Sequence, residues 1–411
     1  MSDPLKTTPL YDWHLSHGAN MADFAGYAMP LWYESGVKLE HLAVLSSAGM
    51  FDTSHMAVVS VRGEHALALL QYCFTRDIAA LQQGRCAYGA FLDNNGHCID
   101  DALVYYFGGE EYLVCSNAGM GAVITGHLRA HSEKLAVVVE DLSGRVAKID
   151  IQGKDAARVL APLLQNSGSV LAEMPFFSFK GRLDAGSDVM LSDGTRIMLS
   201  RTGYTGEFGF EIFLASDAVL PLWEALLQAG SKYGVLPCGL AARDSLRAGA
   251  VLPLSHQDIG SWKFINHPWP FALSLSTERE GFAKDFVGRE ALEAGSDLYT
   301  YPFVGTTLRK VASGGIAVVL DQDGSELGRV LSCATDMGID WHEGRILSIN
   351  SPDRPDAIKG LSCGFVQVDM PLEYGTAVVL AEGRRRIDAV IVQDVRPDRT
   401  ARKAMKNFYP G

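Results

Sequence analysis

The stretch Ser200-Arg-Thr-Gly-Tyr-Thr-Gly-Glu-Phe-Gly-Phe-Glu-Ile-Phe213 constrains the fold most, because it places an acid inside what otherwise reads as a core strand. Glu211 stands among Phe208, Phe210, Ile212 and Phe213, behind Gly203, Gly206 and Gly209. A buried carboxylate without a partner costs several kcal/mol, so the pattern predicts a partner for Glu211. On a strand, Glu211 shares its face with Gly209 and Phe213, while Phe208, Phe210 and Ile212 point the other way. A carboxylate beside a missing side chain and a ring suits a flat, nitrogen-rich ligand whose two N–H groups bond it in a fork. An ordinary ion pair with an arginine satisfies the same charge, and the residues alone leave both readings open.

The chain has 411 residues, which exceeds one ordinary core and predicts two or three domains. Its 47% hydrophobic and 20% charged content is that of a soluble globular protein. No run approaches the roughly eighteen apolar residues of a membrane span. The opening Met-Ser-Asp-Pro-Leu-Lys has neither a signal-peptide core nor an Arg-rich transit pattern, so the sequence reads as cytoplasmic with no membrane partner. A net charge of -12 argues against nucleic acid as a partner, since phosphate contacts need clustered Lys and Arg. The one basic cluster, Arg384-Arg385-Arg386 with Arg396 to Lys406, either faces an anionic ligand tail or, as the pattern favours, is a solvated face or frayed terminus. Seven cysteines form no C-x-x-C pair, as in a reducing compartment without a structural zinc site.

Hydrophobic periodicity divides the chain into 1–145, 146–300 and 301–411. In the first part an alternating strand, 57–62, precedes a helix through Ala66, Leu69, Leu70 and Cys73. The turn Asp93-Asn-Asn-Gly96 then leads to strands over 98–106 and 111–116 and a helix over 117–131. The second part repeats this order: strand 146–152, helix 154–164, strands 189–199 and 208–214, helix 218–232. A helix over 237–250 follows, and periodicity then fails between Leu252 and Asp285. From about Pro302 the chain turns strand-rich, predicting a small β domain or barrel. The fold class is therefore α+β, with two similar α/β units and a C-terminal β domain.

Asp100 and Asp101 adjoin on one strand, so they are expected to point to opposite faces, one into a pocket and the other solvated or capping the turn. An acid heading Ala102-Leu-Val-Tyr-Tyr106 can orient or deprotonate an amine, with Tyr88 stacked beside it. Arg243 and Arg247 share a helix face, where they either clamp a ligand carboxylate or pair with structural acids. Gly119-Met-Gly121 lacks the third glycine of a dinucleotide site, with Ile124 in its place. His14, His17 and His55 lack the spacing of metal ligands and read as core or hydrogen-bonding groups.

Several of these motifs occur together in one known family. Thr8-Pro-Leu-Tyr-Asp, Phe24-Ala-Gly, Met50-Phe-Asp-Thr-Ser-His-Met56, Gly96-His-Cys-Ile-Asp-Asp101, Ser116-Asn-Ala, Gly203-Tyr-Thr-Gly-Glu-Phe-Gly-Phe-Glu211 and Gly239-Leu-Ala-Ala-Arg-Asp-Ser-Leu-Arg247 are ordered and correctly spaced. Together they resemble the aminomethyltransferase (T-protein) of the glycine cleavage system. The resemblance implies three domains around a central cavity that holds tetrahydrofolate. It implies transfer of a one-carbon unit from the aminomethyl-lipoyl arm of H-protein to tetrahydrofolate with release of ammonia, and no metal. It also implies that Asp101 attends the reacting folate nitrogens and Glu211 grips the pterin edge. By the same resemblance Tyr88 and Tyr204 line the pocket, Asn117 and Met56 contact the pterin side, and Arg243 is a pocket arginine.

The chain also departs from the family. Asn266-His-Pro-Trp-Pro-Phe-Ala-Leu-Ser-Leu275 replaces a Thr-Pro-x-Glu-Ala-Gly-Leu-x-Trp segment, and Ser332-Cys-Ala-Thr stands where the family has Thr-Ser-Gly. These changes bear on the donor side and keep open a paralogous enzyme that takes a methyl or formaldehyde unit from another donor. A non-enzymatic iron–sulfur assembly relative ranks lower, because its Lys-Gly-Cys-x-x-Gly-Gln-Glu signature is missing.

Overall fold

The structure is a computed structural model and describes residues 4–276 and 281–409. Met1–Asp3, part of the opening stretch read for a leader, and 277–280, within the aperiodic 252–285 stretch, lie outside them. Two antiparallel-rich sheets form the first two thirds of the chain. One holds Arg85–Leu92, Cys98–Gly108, Glu111–Ser116, Ala57–Arg62 and Val138–Asp141, in that spatial order. The other runs Phe179–Gly181, Met198–Ser200, Gly209–Ala215, Val146–Gln152, Gly49–Asp52 and Leu236–Pro237. The two orders correspond strand for strand, except that Gly49–Asp52 is inserted beside Val146–Gln152 in the second. The repeated strand, helix, hairpin, helix pattern of the sequence thus appears as two similar sheets.

Each sheet buries one face under helices because its strands alternate two apolar sets. Val59, Val61, Ala102 and Val104 of the first sheet pack with Leu69, Leu70, Ile124 and Leu128 of the Ala66–Cys73 and Gly121–Ala130 helices. Phe208, Phe210, Ile212 and Leu214 do the same in the second sheet against Leu222 and Trp223 of the Val219–Gly230 helix. The opposite faces meet each other: Tyr105, Leu113 and Cys115 of the first sheet share a cluster with Phe179, Met198 and Phe213 of the second. The Tyr105 ring sits edge-on to Phe179 at 5.3 Å and to Phe213 at 5.7 Å. Helices lie outside and the two sheets face inward, so a polar group on an inner face enters the space between them.

The chain from Tyr299 to Ile391 closes into a six-stranded barrel, which leaves no open sheet edge. Val319, Val330, Val366, Val378 and Leu380 fill its interior. The expected strand over 189–199 shortens to Met198–Ser200, because Ser192-Asp-Gly194 makes a tight turn with Gly194 at φ +89. Among the described residues no helix is long and apolar enough to cross a membrane.

The basic C-terminal stretch corrects an expectation. Arg384, Arg385 and Arg386 are exposed, but Arg396 is fully buried and joins Glu207 at 3.2 Å and Asp336 in ion pairs. The tail is therefore docked rather than frayed: Thr400 accepts the Phe208 N–H at 2.8 Å, and Phe408 stacks on Phe208 at 4.0 Å. Asp336 also bonds His41, whose other ring nitrogen meets Ser245, so one buried acid ties the barrel to the Gly36–Ser46 and Leu240–Gly249 helices. Against the cost of burial, Arg396 and His41 hold Asp336 well below the usual carboxylate range. Arg396→Ala strands two buried acids and is expected to cost about 3–5 kcal/mol of unfolding free energy. Urea denaturation checks this; a loss below about 1 kcal/mol, as for a surface pair, would show that the tail is not anchored there.

Candidate active site

The strand register builds the floor of the site. Glu211 lies opposite Asp150 on the neighbouring strand, and Lys148 is two residues from Asp150, so all three side chains share the inner face. Lys148 Nζ pairs with Asp150 Oδ1 at 2.8 Å and with Glu211, while Arg243 pairs with Asp150 Oδ2 at 2.7 Å. Thr53 donates to Asp150 at 2.9 Å; Thr202 and, at 3.5 Å, Tyr105 donate to Glu211. Two cations and two anions balance in a nearly dry setting, with 2% of the Lys148 side chain exposed. Burial alone would lower the Lys148 pKa, but Asp150 and Glu211 outweigh it and hold it above the ordinary value. Asp150 is depressed against its own burial by Lys148 and Arg243.

Glu211 thus has the partner its environment demanded, but the partner is a lysine rather than an arginine. Lys148 was legible in principle: Lys148-Ile-Asp150 puts opposite charges on one face of an otherwise apolar strand. The expected segregation of Phe208, Phe210 and Ile212 from Phe213 is also found.

A second acid stands at the mouth of the first sheet. Asp101 accepts a hydrogen bond from the Tyr88 hydroxyl at 2.7 Å and from Asn117 Nδ2 at 2.8 Å. The same Asn117 amide donates to Asp100 at 2.8 Å, and its backbone N–H does so at 2.8 Å. The expectation that Asp100 is solvated or caps the turn is therefore wrong, because Asp100 is fully buried beside Asp101. The two acids keep regular register, Asp100 opposite Phe91 and Asp101 opposite Ala90, and it is Asn117, just past the Glu111–Ser116 strand, that bonds both carboxylates. Ser255 completes the Asp100 shell at 3.0 Å, and the exposed His256 ring lies 3.6 Å away; neither was singled out from sequence.

Burial and the neighbouring Asp100 raise the Asp101 pKa to about 6, against the bonds from Tyr88 and Asn117 that favour its ionised form. Burial and Asp101 push the Tyr88 phenol well above its ordinary value, so Tyr88 remains a donor. The raised carboxyl pKa places the titration of the half-buried Asp101 close to neutrality.

The remaining expected residues are half-buried, with 12% of the Arg243 side chain exposed. Tyr204 donates to the Pro253 carbonyl and lies under the Arg243 guanidinium, 4.8 Å from the ring centroid. Met56 packs with Leu103 and Phe213 in the inter-sheet cluster. Arg247 takes the structural alternative, pairing with Asp244 at 2.7 Å and with the buried Asp258. Grooves at Leu298, Arg329 and Gln367 and at Lys6, Pro9 and Tyr27 contain none of these groups.

An α+β chain with a near-neutral carboxyl above a floor of compensated charge is built as an enzyme. Residues 10–263 match the family model described as the GCVT N-terminal domain. An aminomethyltransferase of Symbiobacterium thermophilum is 40% identical over 298 residues, 71% of this chain and 75% of that protein. One from Bacillus mycoides is 37% identical over 326 residues, 75% and 86% of the two chains. The solved glycine cleavage system aminomethyltransferase T of Bartonella henselae superposes with a TM-score of 0.76 at 28% identity, over 94% of this chain and 97% of that one. The chain belongs to the aminomethyltransferase (GCVT) family.

The Asp100 charge is one cause of the raised Asp101 pKa, so removing it has a definite sign. Carboxyl 13C NMR of aspartate-labelled protein, assigned with Asp101→Asn, is expected to show Asp101 ionising near pH 6, and at lower pH in Asp100→Asn. An unchanged or raised midpoint in Asp100→Asn would show that the like-charge coupling is absent.

Proposed function

We propose that the chain transfers the aminomethyl carbon from the lipoyl arm of an H-protein to tetrahydrofolate and releases ammonia. Beyond family membership, one observation carries the reading: two acids of unlike character share the inter-sheet space. Asp101 is half-buried and poised near neutrality, while Glu211 is buried and charge-compensated. The chemistry of the lining fits a reduced pterin, with carboxylate acceptors for its N–H groups and flat tyrosines for its rings. A carboxylate offers roughly four lone-pair positions. Three on Glu211 face Lys148, Thr202 and Tyr105, leaving one for a heterocycle N–H. The full fork forms when the 3.5 Å Tyr105 contact yields.

Tetrahydrofolate supplies two nucleophilic nitrogens. As both bond to the donor carbon, its C–N and C–S bonds break; one nitrogen proton leaves with ammonia and the other restores the lipoyl thiol. Asp101 takes the proton from the attacking amine and returns it to the departing ammonia, a task matched by a pKa near the working pH. Tyr88 and Asn117 fix its two oxygens. Arg243 holds Tyr204 as a wall, and Glu211 sets the heterocycle's orientation, which supplies much of the rate by positioning.

A second reading, a tetrahydrofolate-dependent methyl or formaldehyde transferase, draws on one observation. The segment that departs from the family places Phe271, 44% exposed, 5.8 Å from the Tyr88 ring. The donor side therefore differs at the partner of the reacting acid.

Aminomethyl-loaded H-protein plus tetrahydrofolate is expected to release ammonia. No release with tetrahydrofolate still bound in calorimetry would favour the second reading, and neither release nor binding would overturn both. Asp101→Asn is expected to lower turnover by about 10²-fold or more with folate affinity nearly intact. Equal losses in both would assign Asp101 to binding. Glu211→Gln turns an acceptor into a donor facing donors and is expected to weaken folate binding; unchanged affinity would exclude the fork.

A further inference from the structure

The outer face of the first sheet carries a cluster that the transfer reaction does not use. Cys73 ends the Ala66–Cys73 helix, and His127 and His131 stand four residues apart on the Gly121–Ala130 helix and its C-cap. The helices pack side by side over the sheet, so the three side chains meet between their ends. One ligating atom from each lies within 4.8 Å of the other two, and the imidazole centroids are 4.8 Å apart. Ala102 and Val104 point toward these helices, whereas Tyr105 and Leu103 point to the inter-sheet space. The cluster is thus on the opposite side of the sheet from Asp101.

Two further details prepare the side chains for an ion. His131 Nδ1 lies 2.9 Å from the His127 carbonyl. A carbonyl only accepts, so Nδ1 carries the proton and Nε2 keeps its lone pair, the arrangement that fixes a ligating imidazole. His127 Nε2 is buried and has no hydrogen-bond partner among the described residues, although an unmet polar atom in that position is costly. Cys73 is 1% exposed, while His131 is half-buried and Tyr72, 45% exposed, stands beside it, which gives an ion a route from solvent.

We propose that Cys73, His127 and His131 bind a zinc-class divalent transition ion, with water as the fourth ligand. Two imidazoles and a thiolate select such an ion over magnesium or calcium, which require oxygen ligands. Bonds of roughly 2.0 to 2.3 Å bring tetrahedral ligands to about 3.3 to 3.8 Å from each other, so binding draws the side chains together by about an ångström. The thiol proton leaves to solvent as the sulfur–metal bond forms. Burial pushes the Cys73 thiol up to about 12, and the Lys284 ammonium, held by the Gln71 and Phe74 carbonyls, offsets only part of that while repelling the ion, so both limit affinity without blocking the ligand atoms. No C-x-x-C pattern announces the site because its ligands come from two separate helices. Its consequence is a clamp between those helices, with stability that rises with ion concentration.

The test uses untagged full-length protein stripped with chelator and titrated with Zn²⁺ alone. One ion per chain is expected, with Cys73→Ser and His131→Gln each weakening binding by roughly tenfold or more. Co²⁺ should give the d–d bands of a four-coordinate site and a thiolate charge-transfer band that Cys73→Ser removes. His131 is only half-buried, so His131→Gln is expected to keep the metal-free melting temperature and lose only its rise with Zn²⁺. Absence of saturable one-to-one binding, or binding unchanged in both variants, would overturn the assignment.

Discussion

Lys148 is an ammonium sealed between two carboxylates, and the floor of the site is arranged around it. Its strand supplies Asp150, the neighbouring strand supplies Glu211, and Arg243 reaches Asp150 from the Leu240–Gly249 helix. Each charge is costly where it stands, and each is tolerated only because the others are in place. That mutual dependence fixes side-chain positions more firmly than apolar contact would, since moving one group leaves another unpaired. Tyr105 extends the connection to the first sheet by donating to Glu211, so the floor also relates the two inner sheet faces.

The two acids differ because their surroundings differ. Glu211 faces a lysine, a threonine and a tyrosine, and every one of them donates. Asp101 has donors of its own but shares Asn117 with the buried Asp100, and that like charge together with burial lifts it toward neutrality. Two carboxylates of unlike character therefore arise from one residue chemistry, one beside a like charge in the first sheet and one beside a lysine in the second. The barrel and the returning tail hold this arrangement from behind, through Asp336, Arg396 and Glu207.

Much of this was legible in the chain. The alternation around Glu211 gave its face and its need for a partner, and the repeated strand and helix order anticipated the two sheets. What sequence could not show was non-local. Asp100 is covered by Asn117 and by Ser255, which is far along the chain, so its own neighbours in sequence do not show its burial. Arg396 lies among exposed arginines, and only its burial against Asp336 separates it from them. Lys148 offered a local signal in its spacing to Asp150, but its tie to Glu211 depends on strand pairing between residues far apart in the chain.

The most direct test of the charged floor is Lys148→Met, which keeps the length of the side chain and removes its charge. Unfolding free energy and tetrahydrofolate affinity would be measured on the same preparation. The account predicts a stability loss of about 3–5 kcal/mol, and loss of tetrahydrofolate binding by the fraction that remains folded. Wild-type stability together with wild-type affinity would contradict it.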